Sequence, residues 1–497
     1  MEITASSFKL RANAPEGRKA ISYQQMRKLI TIQMRKLIGA MIIGMGTNAC
    51  AEPGMLLAGT SKVDITPDEA FISAKDESWR LPDPPAVAGG KKTPPANIHD
   101  PIFARVLVLK NAETSLAIVS LDLILFSSEK VIKEAKEKWG VDHVILSSTH
   151  THSSMIPRGL CPTGAAQSWG WDYVQDDPGV TVDWVGLSED PWYAATEAKI
   201  VAAIGEASAN LFPAQIVAGR GAFESAYMAH NRRLVGADGK VTDMWDNPKR
   251  LPTKPIDPTV GVMQVNDRSG NPRAFLVNYA CHPVGMMGSG VLSRDFPGAM
   301  VDYVEQELGS DCMAMFLQGA EGDQDPYDMR LKDEHGFNLM RQAGISLGKG
   351  ALRVARTLKS RQDARSSSIR VKEDLVKLPH RNGDKVTEAC VMTAVINGEL
   401  ALVTSPGEPF IQHQLDLVAK SPLASTFLLG VAYCGAGSPF LIYVPTVQAV
   451  KEGGYGADVN RCSFLSGDAG ERMVNTAVTA IKQLLALDGT PTGTEKP

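Results

Sequence analysis

The sequence predicts an α/β fold built on a mixed sheet. Between about Gly54 and Leu487, apolar runs of strand length alternate with longer helical segments. Several runs are nearly continuously apolar, LAIVSLDLIL at 116–125 among them, as expected of strands covered on both faces. The stretch 366–400 reads as antiparallel, so the sheet is mixed or doubled rather than purely parallel. In chain order, strands are expected at 103–110, 116–125, 144–148, 261–266, 274–280, 313–318, 400–404 and 426–433. Each is an apolar run that stops at a polar or Gly/Pro-rich turn. Helices are expected at 128–138, 193–209, 297–308, 338–358 and 469–486, with Pro297 opening the third. No internal repeat is present. The expected organisation is an upstream extension and signal segment at 1–51, one domain at 54–487, and a disordered tail, DGTPTGTEKP, at 488–497.

Composition sets outer bounds. A chain of 497 residues could hold two or three domains. With 44% hydrophobic and 21% charged residues it is an ordinary globular sequence. A net charge of −4 with scattered Lys and Arg carries no nucleic-acid footprint. The stretch MRKLITIQMRKLIGAMIIGMGTNACAEP, 26–53, places basic residues before a short apolar run and an Ala49-Cys50-Ala51 cleavage pattern. It is too short to span a bilayer. Export to the periplasm or the medium is expected, with translation starting at Met26 or Met34. Lipid attachment at Cys50 fits the preceding residues less well. The 7 cysteines are at 50, 161, 281, 312, 390, 434 and 462. Six remain once Cys50 is removed, and disulfides and buried thiols are both open. No CxxC pair suggests a cysteine metal site.

The chemistry gathers at strand ends. VILSSTHTHSS, 144–154, is an apolar strand followed by His150 and His152. In extended backbone, residues i and i+2 share a face, so two imidazoles there could serve one zinc ion. AFLVNYA, 274–280, leads to His282, with Cys281 beside it as a small buried residue and Asp295 in a polar loop further on. MAMFLQGAEGDQDPYD, 313–328, breaks into a turn carrying Asp323, Asp325 and Asp328. LALVTSPGEPF, 400–410, stops at Pro-Gly and presents Glu408. Four strands thus end in polar or metal-binding groups, where α/β sheets place their sites.

These segments, taken in order, resemble the catalytic domain of the neutral (non-lysosomal) ceramidase family. The resemblance runs from about Leu57 to Leu487. It rests on AGTSKVDITP at 58–67, THTHS at 149–153, HNRRL at 230–234, NYACH at 278–282 with SRD at 293–295, QGAEGDQDP at 318–326, PGE at 406–408 and IYVPT at 442–446. It implies a zinc-dependent amidase acting on a small-molecule or lipid N-acyl substrate, with peripheral membrane contact compatible with a lipid. It implies Zn²⁺ ligands His150, His282, Glu408 and Tyr443, of which Tyr443 is unusual. His152 would be a proton acceptor beside the metal, Arg232 would hold a substrate oxygen or the developing oxyanion, and Tyr455 aligns with a further family tyrosine. Asp325 stands where the ceramidases carry a serine and is a second candidate base. Asp323 and Asp295 would orient loops. Gly456 replaces an acidic family residue, and SSMIPRG at 153–159 replaces a Gly-rich stretch. The sequence ends soon after its last expected helix, so the C-terminal immunoglobulin-like domain that the ceramidases carry is not expected here.

Other readings of the same residues are an esterase or lactonase with the same metal, a metal hydrolase on a TIM barrel, and an exported metal-binding protein without activity. Residues 155–192 contain Trp169, Trp171, Trp184 and Trp192, and read as a lid or substrate wall. Oligomeric state is not legible.

Overall fold

The structure, a computed structural model, describes residues 55–67, 97–154, 191–358, 367–458 and 463–487. The expected signal segment, the tail and all but the end of the tryptophan loop lie outside the described residues.

Nine strands form the main sheet. Their order across it is Met313–Gln318, Pro272–Tyr279, Thr259–Asp267, Phe212–Ala222, Leu57–Asp64, Phe103–Lys110, Ser115–Leu121, His143–Ser148 and Ala432–Tyr433. Leu57–Asp64 meets Phe212–Ala222 through only two residue pairs, Leu57 with Pro213 and Ala58 with Phe212. This narrow joint divides the sheet into halves that curl toward each other. The hydroxyl of Ser120, in one half, donates to the Phe316 carbonyl of the other at 2.7 Å.

Side-chain alternation then builds the layers. Leu107, Ile118, Met263, Leu276 and Met315 point into a core shared by both halves. Their chain neighbours point outward: Val106 and Val119 pack under the Pro191–Ala209 helix, and Phe275, Val277 and Phe316 pack under Asp295–Leu308 and Glu334–Ala355. A second sheet, ordered Ile369–Pro379, Val386–Ile396, Leu400–Thr404 and Ser425–Leu429, adds Met392, Leu402 and Phe427 to the shared core. Strands covered on both faces explain the nearly continuous apolar runs.

Within these two sheets three strand pairs are parallel: Ser115–Leu121 with His143–Ser148, Pro272–Tyr279 with Met313–Gln318, and Leu400–Thr404 with Ser425–Leu429. The other pairs within the two sheets are antiparallel, which rules out the TIM barrel alternative. The expected antiparallel stretch is the Ile369–Pro379/Val386–Ile396 hairpin.

Several expectations need correction. The apolar run at 426–433 is two strands in different sheets, broken at Gly430–Val431, where Val431 takes φ 47°. Asp295 is not in a polar loop: it is buried and begins the Asp295–Leu308 helix, accepting from the Met286 and Phe296 backbone N–H groups at 2.7 and 2.6 Å. Trp192 belongs to the core under the Pro191–Ala209 helix rather than to a substrate wall. Cys281, Cys312, Cys390 and Cys434 are buried thiols, whereas Cys50, Cys161 and Cys462 lie outside the described residues.

Candidate metal centre

The three parallel pairs run their C-terminal ends toward one place. Beyond His143–Ser148, the N–H groups of Thr149 and His150 donate to the carbonyls of Leu121 and Leu123 at 2.8 and 2.9 Å. His150 adopts φ 68°, so the backbone is not extended there and the simple same-face expectation for His150 and His152 does not hold. The turn nevertheless brings the rings together, with their Nε2 atoms 3.3 Å apart. The Gln318 side-chain amide donates to the Thr149 and Cys281 carbonyls at 3.2 and 3.0 Å, fastening one histidine loop to the other.

His150 and His282 are oriented in the same manner. The Nδ1 of His150 lies 2.7 Å from the Ile124 carbonyl, and that of His282 lies 2.8 Å from the Glu321 carbonyl. Those carbonyls fix Nδ1 as the protonated nitrogen and leave each Nε2 with its lone pair inward, as metal-binding imidazoles require. Both Nε2 atoms face Glu408 Oε2, at 3.5 Å from His150 and 3.2 Å from His282. Glu408 is buried, so its carboxylate meets the two imidazoles away from solvent.

Glu408 is set by its backbone. Glu408–Pro409 pairs in parallel with Tyr443–Val444, with Glu408 directly opposite Tyr443. The Glu408 N–H donates to the Ile442 carbonyl at 2.7 Å, and Ile442 takes φ 54°. Positive φ at a β-branched residue is strained, and such strain concentrates where function fixes geometry. The Tyr443 ring lies 6.3 Å from that of His282, centroid to centroid.

His152 is buried, its N–H held by the Pro283 carbonyl at 3.0 Å. Burial first, then the neighbouring His150 and His282, push its pKa well below 6.5, so the ring is neutral. Its Nδ1 has no hydrogen-bond partner among the described residues.

Arg232 and Asp325 pair at 3.2 Å, both buried. A second Arg232 nitrogen donates to the Gly322 carbonyl. The rings of Trp245, Tyr443 and Tyr455 stand 5.3, 5.4 and 5.2 Å from the guanidinium carbon. Burial opposes the Arg232 charge, but Asp325 and the tyrosines more than offset it and raise the pKa further. Arg232 Nε alone in that group lacks a partner among the described residues. Asp323 is structural: it accepts from the N–H of Ile411 at 2.9 Å and from the Asn231 amide at 2.7 Å, tying the turn to the Ile411–Lys420 helix.

One residue was missed. Glu321, in the turn after Met313–Gln318, is wholly buried, and neither carboxylate oxygen meets a donor from another residue among the described residues. One of its oxygens, a nitrogen of His150 and an oxygen of Glu408 lie within 4.8 Å of one another, as do nitrogens of His150, His152 and His282. Burial and then the Glu408 charge push the Glu321 pKa well up.

This donor set fits a divalent transition metal. Two imidazoles are fixed through Nδ1, their Nε2 atoms share a buried carboxylate, and Glu408 Oε1 has no partner among the described residues.

No family profile and no curated protein matches the sequence. Among solved structures, the neutral ceramidase from Pseudomonas aeruginosa superposes with a TM-score of 0.60 at 17% identity, covering 89% of this chain and 76% of that one. A ceramidase complexed with C2 gives 0.62 at 16% identity, covering 89% and 77%. The chain has the neutral ceramidase fold. The ceramidase-like motifs read from the sequence fall together in this fold: THTHS, NYACH, QGAEGDQDP, PGE and IYVPT all border the centre, and HNRRL supplies Arg232.

Proposed function

We propose that the protein is a zinc-dependent hydrolase that cleaves an N-acyl amide bond, as a ceramidase does. The observation that carries this is the convergence of His150, His282 and Glu408, with both imidazoles oriented by backbone carbonyls. Zn²⁺ would be held by His150, His282, Glu408 and Tyr443. A bound zinc ion lowers the pKa of water from about 16 to about 7 and polarises a carbonyl oxygen.

The chain's own groups divide the remaining work. His152, neutral and next to His150, accepts the proton of the attacking water at Nε2 and returns it to the leaving amine. Arg232 is fixed by Asp325 and Gly322, and its Nε is the donor left for the developing oxyanion. Asp325 therefore serves as the partner that keeps Arg232 in place, and the base role rests on His152. The signal-like stretch at 26–53 supports an enzyme that works outside the cytoplasm.

The test is metal content together with hydrolysis of a panel of N-acyl amides, esters and lactones. Wild type is expected to hold about one zinc per chain and to favour amides. His282→Ala is expected to lose both metal and turnover. His152→Gln is expected to keep its metal and lose about 10²–10⁴-fold in rate. A wild-type protein that binds no zinc refutes the reading, and a preference for esters reassigns the substrate.

A further inference from the structure

We propose that Glu321 is a further direct ligand of the cation, so that the centre carries two carboxylates. The inference rests on the metal reading above and extends it to a residue outside the ligand set His150, His282, Glu408 and Tyr443.

Three observations carry it. Glu321 is fully buried, and both its oxygens lack a donor from any other described residue. A carboxylate taken from water without hydrogen bonds is costly unless a cation or a proton replaces the lost solvent. One of its oxygens lies within 4.8 Å of a His150 nitrogen and a Glu408 oxygen, so its reach is toward the centre. The surrounding backbone is also shaped to admit it. A Cβ on Gly430 would stand 2.5 Å from Glu321 Oε2, and a Cβ on Gly322 would stand 2.5 Å from the Glu408 carbonyl oxygen. Gly430 thus leaves room for the Glu321 carboxylate, and Gly322 lets the turn that carries Glu321 lie against the Glu408 backbone. The neighbouring carbonyl of Glu321 already orients His282, so the residue would act on the centre through both backbone and side chain.

The chemical consequence is charge balance. Two carboxylates neutralise a divalent cation before any tyrosinate or water joins it. The added oxygen moves the donor set toward harder ions such as Mn²⁺, relative to a site with one carboxylate.

The test uses full-length protein stripped of metal, in wild type, Glu321→Gln and His282→Ala. Zn²⁺ affinity is measured by competition with a chromogenic chelator, and stoichiometry by elemental analysis. Glu321→Gln is expected to bind Zn²⁺ more than about 100-fold more weakly, since losing a group that only supports a ligand already costs about 10–100-fold. Its metal-free form is expected to be about as stable as metal-free wild type, because the amide replaces a buried carboxyl that has no partner from another described residue. The d–d absorption of the Co²⁺ form is expected to change, since it reports coordination number. If Glu321→Gln folds poorly, Glu321→Asp carries the same spectral comparison. Wild-type affinity and an unchanged Co²⁺ spectrum in Glu321→Gln, with binding lost in His282→Ala, would overturn this proposal and leave the metal centre standing. Two cations per wild-type chain, reduced to one in Glu321→Gln, would overturn the single-ion assignment. Zn²⁺ retained by His282→Ala would remove the centre itself and the proposal with it.

Discussion

At the scale of single residues, Asp295 offers a pH signature separate from the centre. Burial pushes its pKa from 3.8 up to about 6, although the Met286 and Phe296 N–H groups pull the other way. The folded-state value lies above the unfolded one. Its stabilising contribution is therefore complete below about pH 4 and is lost as the pH rises through about 6. Wild type is expected to gain in melting temperature relative to Asp295→Asn on going from pH 7 to pH 5. A constant difference would show that Asp295 stays ionised throughout. Residues of this kind were partly legible. His150, His282 and Glu408 stand out because each ends an apolar run with a metal-binding group. Glu321 did not, because a carboxylate between Gly-Ala and Gly-Asp looks like any turn residue until burial is known. Extended backbone would put His150 and His152 on one face, but φ 68° at His150 turns the chain there, a feature no local pattern announces.

At the scale of elements, Gly322 shows how the turn after Met313–Gln318 and the Glu408 segment depend on each other. The Gly322 N–H donates to the Pro409 carbonyl at 2.9 Å, and the two backbones touch where a side chain would stand. Gly322→Ala is expected to destabilise by about 1–3 kcal/mol and to displace Glu408. Chemical denaturation with and without Zn²⁺ checks both effects, and wild-type stability with wild-type affinity would refute them. Long apolar strands such as Phe103–Lys110 and Met313–Gln318 were read to the residue, since burial on both faces leaves an unbroken signal. Phe212–Ala222 escaped because FPAQIVAGRGA is mostly half-buried and rich in glycine and alanine. The Ile411–Lys420 helix escaped because it is short and begins straight after the Pro-Phe of the Glu408 turn.

At the scale of the whole molecule, the proposed ligands come from five separated positions along the chain, 150, 282, 321, 408 and 443. A cation bound by all of them stabilises only the completed fold. Chelation with EDTA is expected to lower the melting temperature, reflecting about 4 kcal/mol when free metal had stood a thousandfold above its Kd. An unchanged melting temperature would mean that the native state takes up no cation. The α/β class and mixed sheet were legible from local runs. The folding of the sheet into facing halves was not, because the narrow joint at Leu57 and Ala58 carries no local sequence signal.

That joint has a further consequence, in the order of events during folding. The donors lie at the seam where Ser120 of one half meets Phe316 of the other. Neither half alone contains the full set: the first holds His150, the second holds His282 and Glu321, and the smaller sheet leads to Glu408. Pairings this distant along the chain form late, after the local hairpins and helices. The centre is thus a receipt for finished assembly, and cation uptake during refolding would keep time with closure of the seam rather than with the growth of either half.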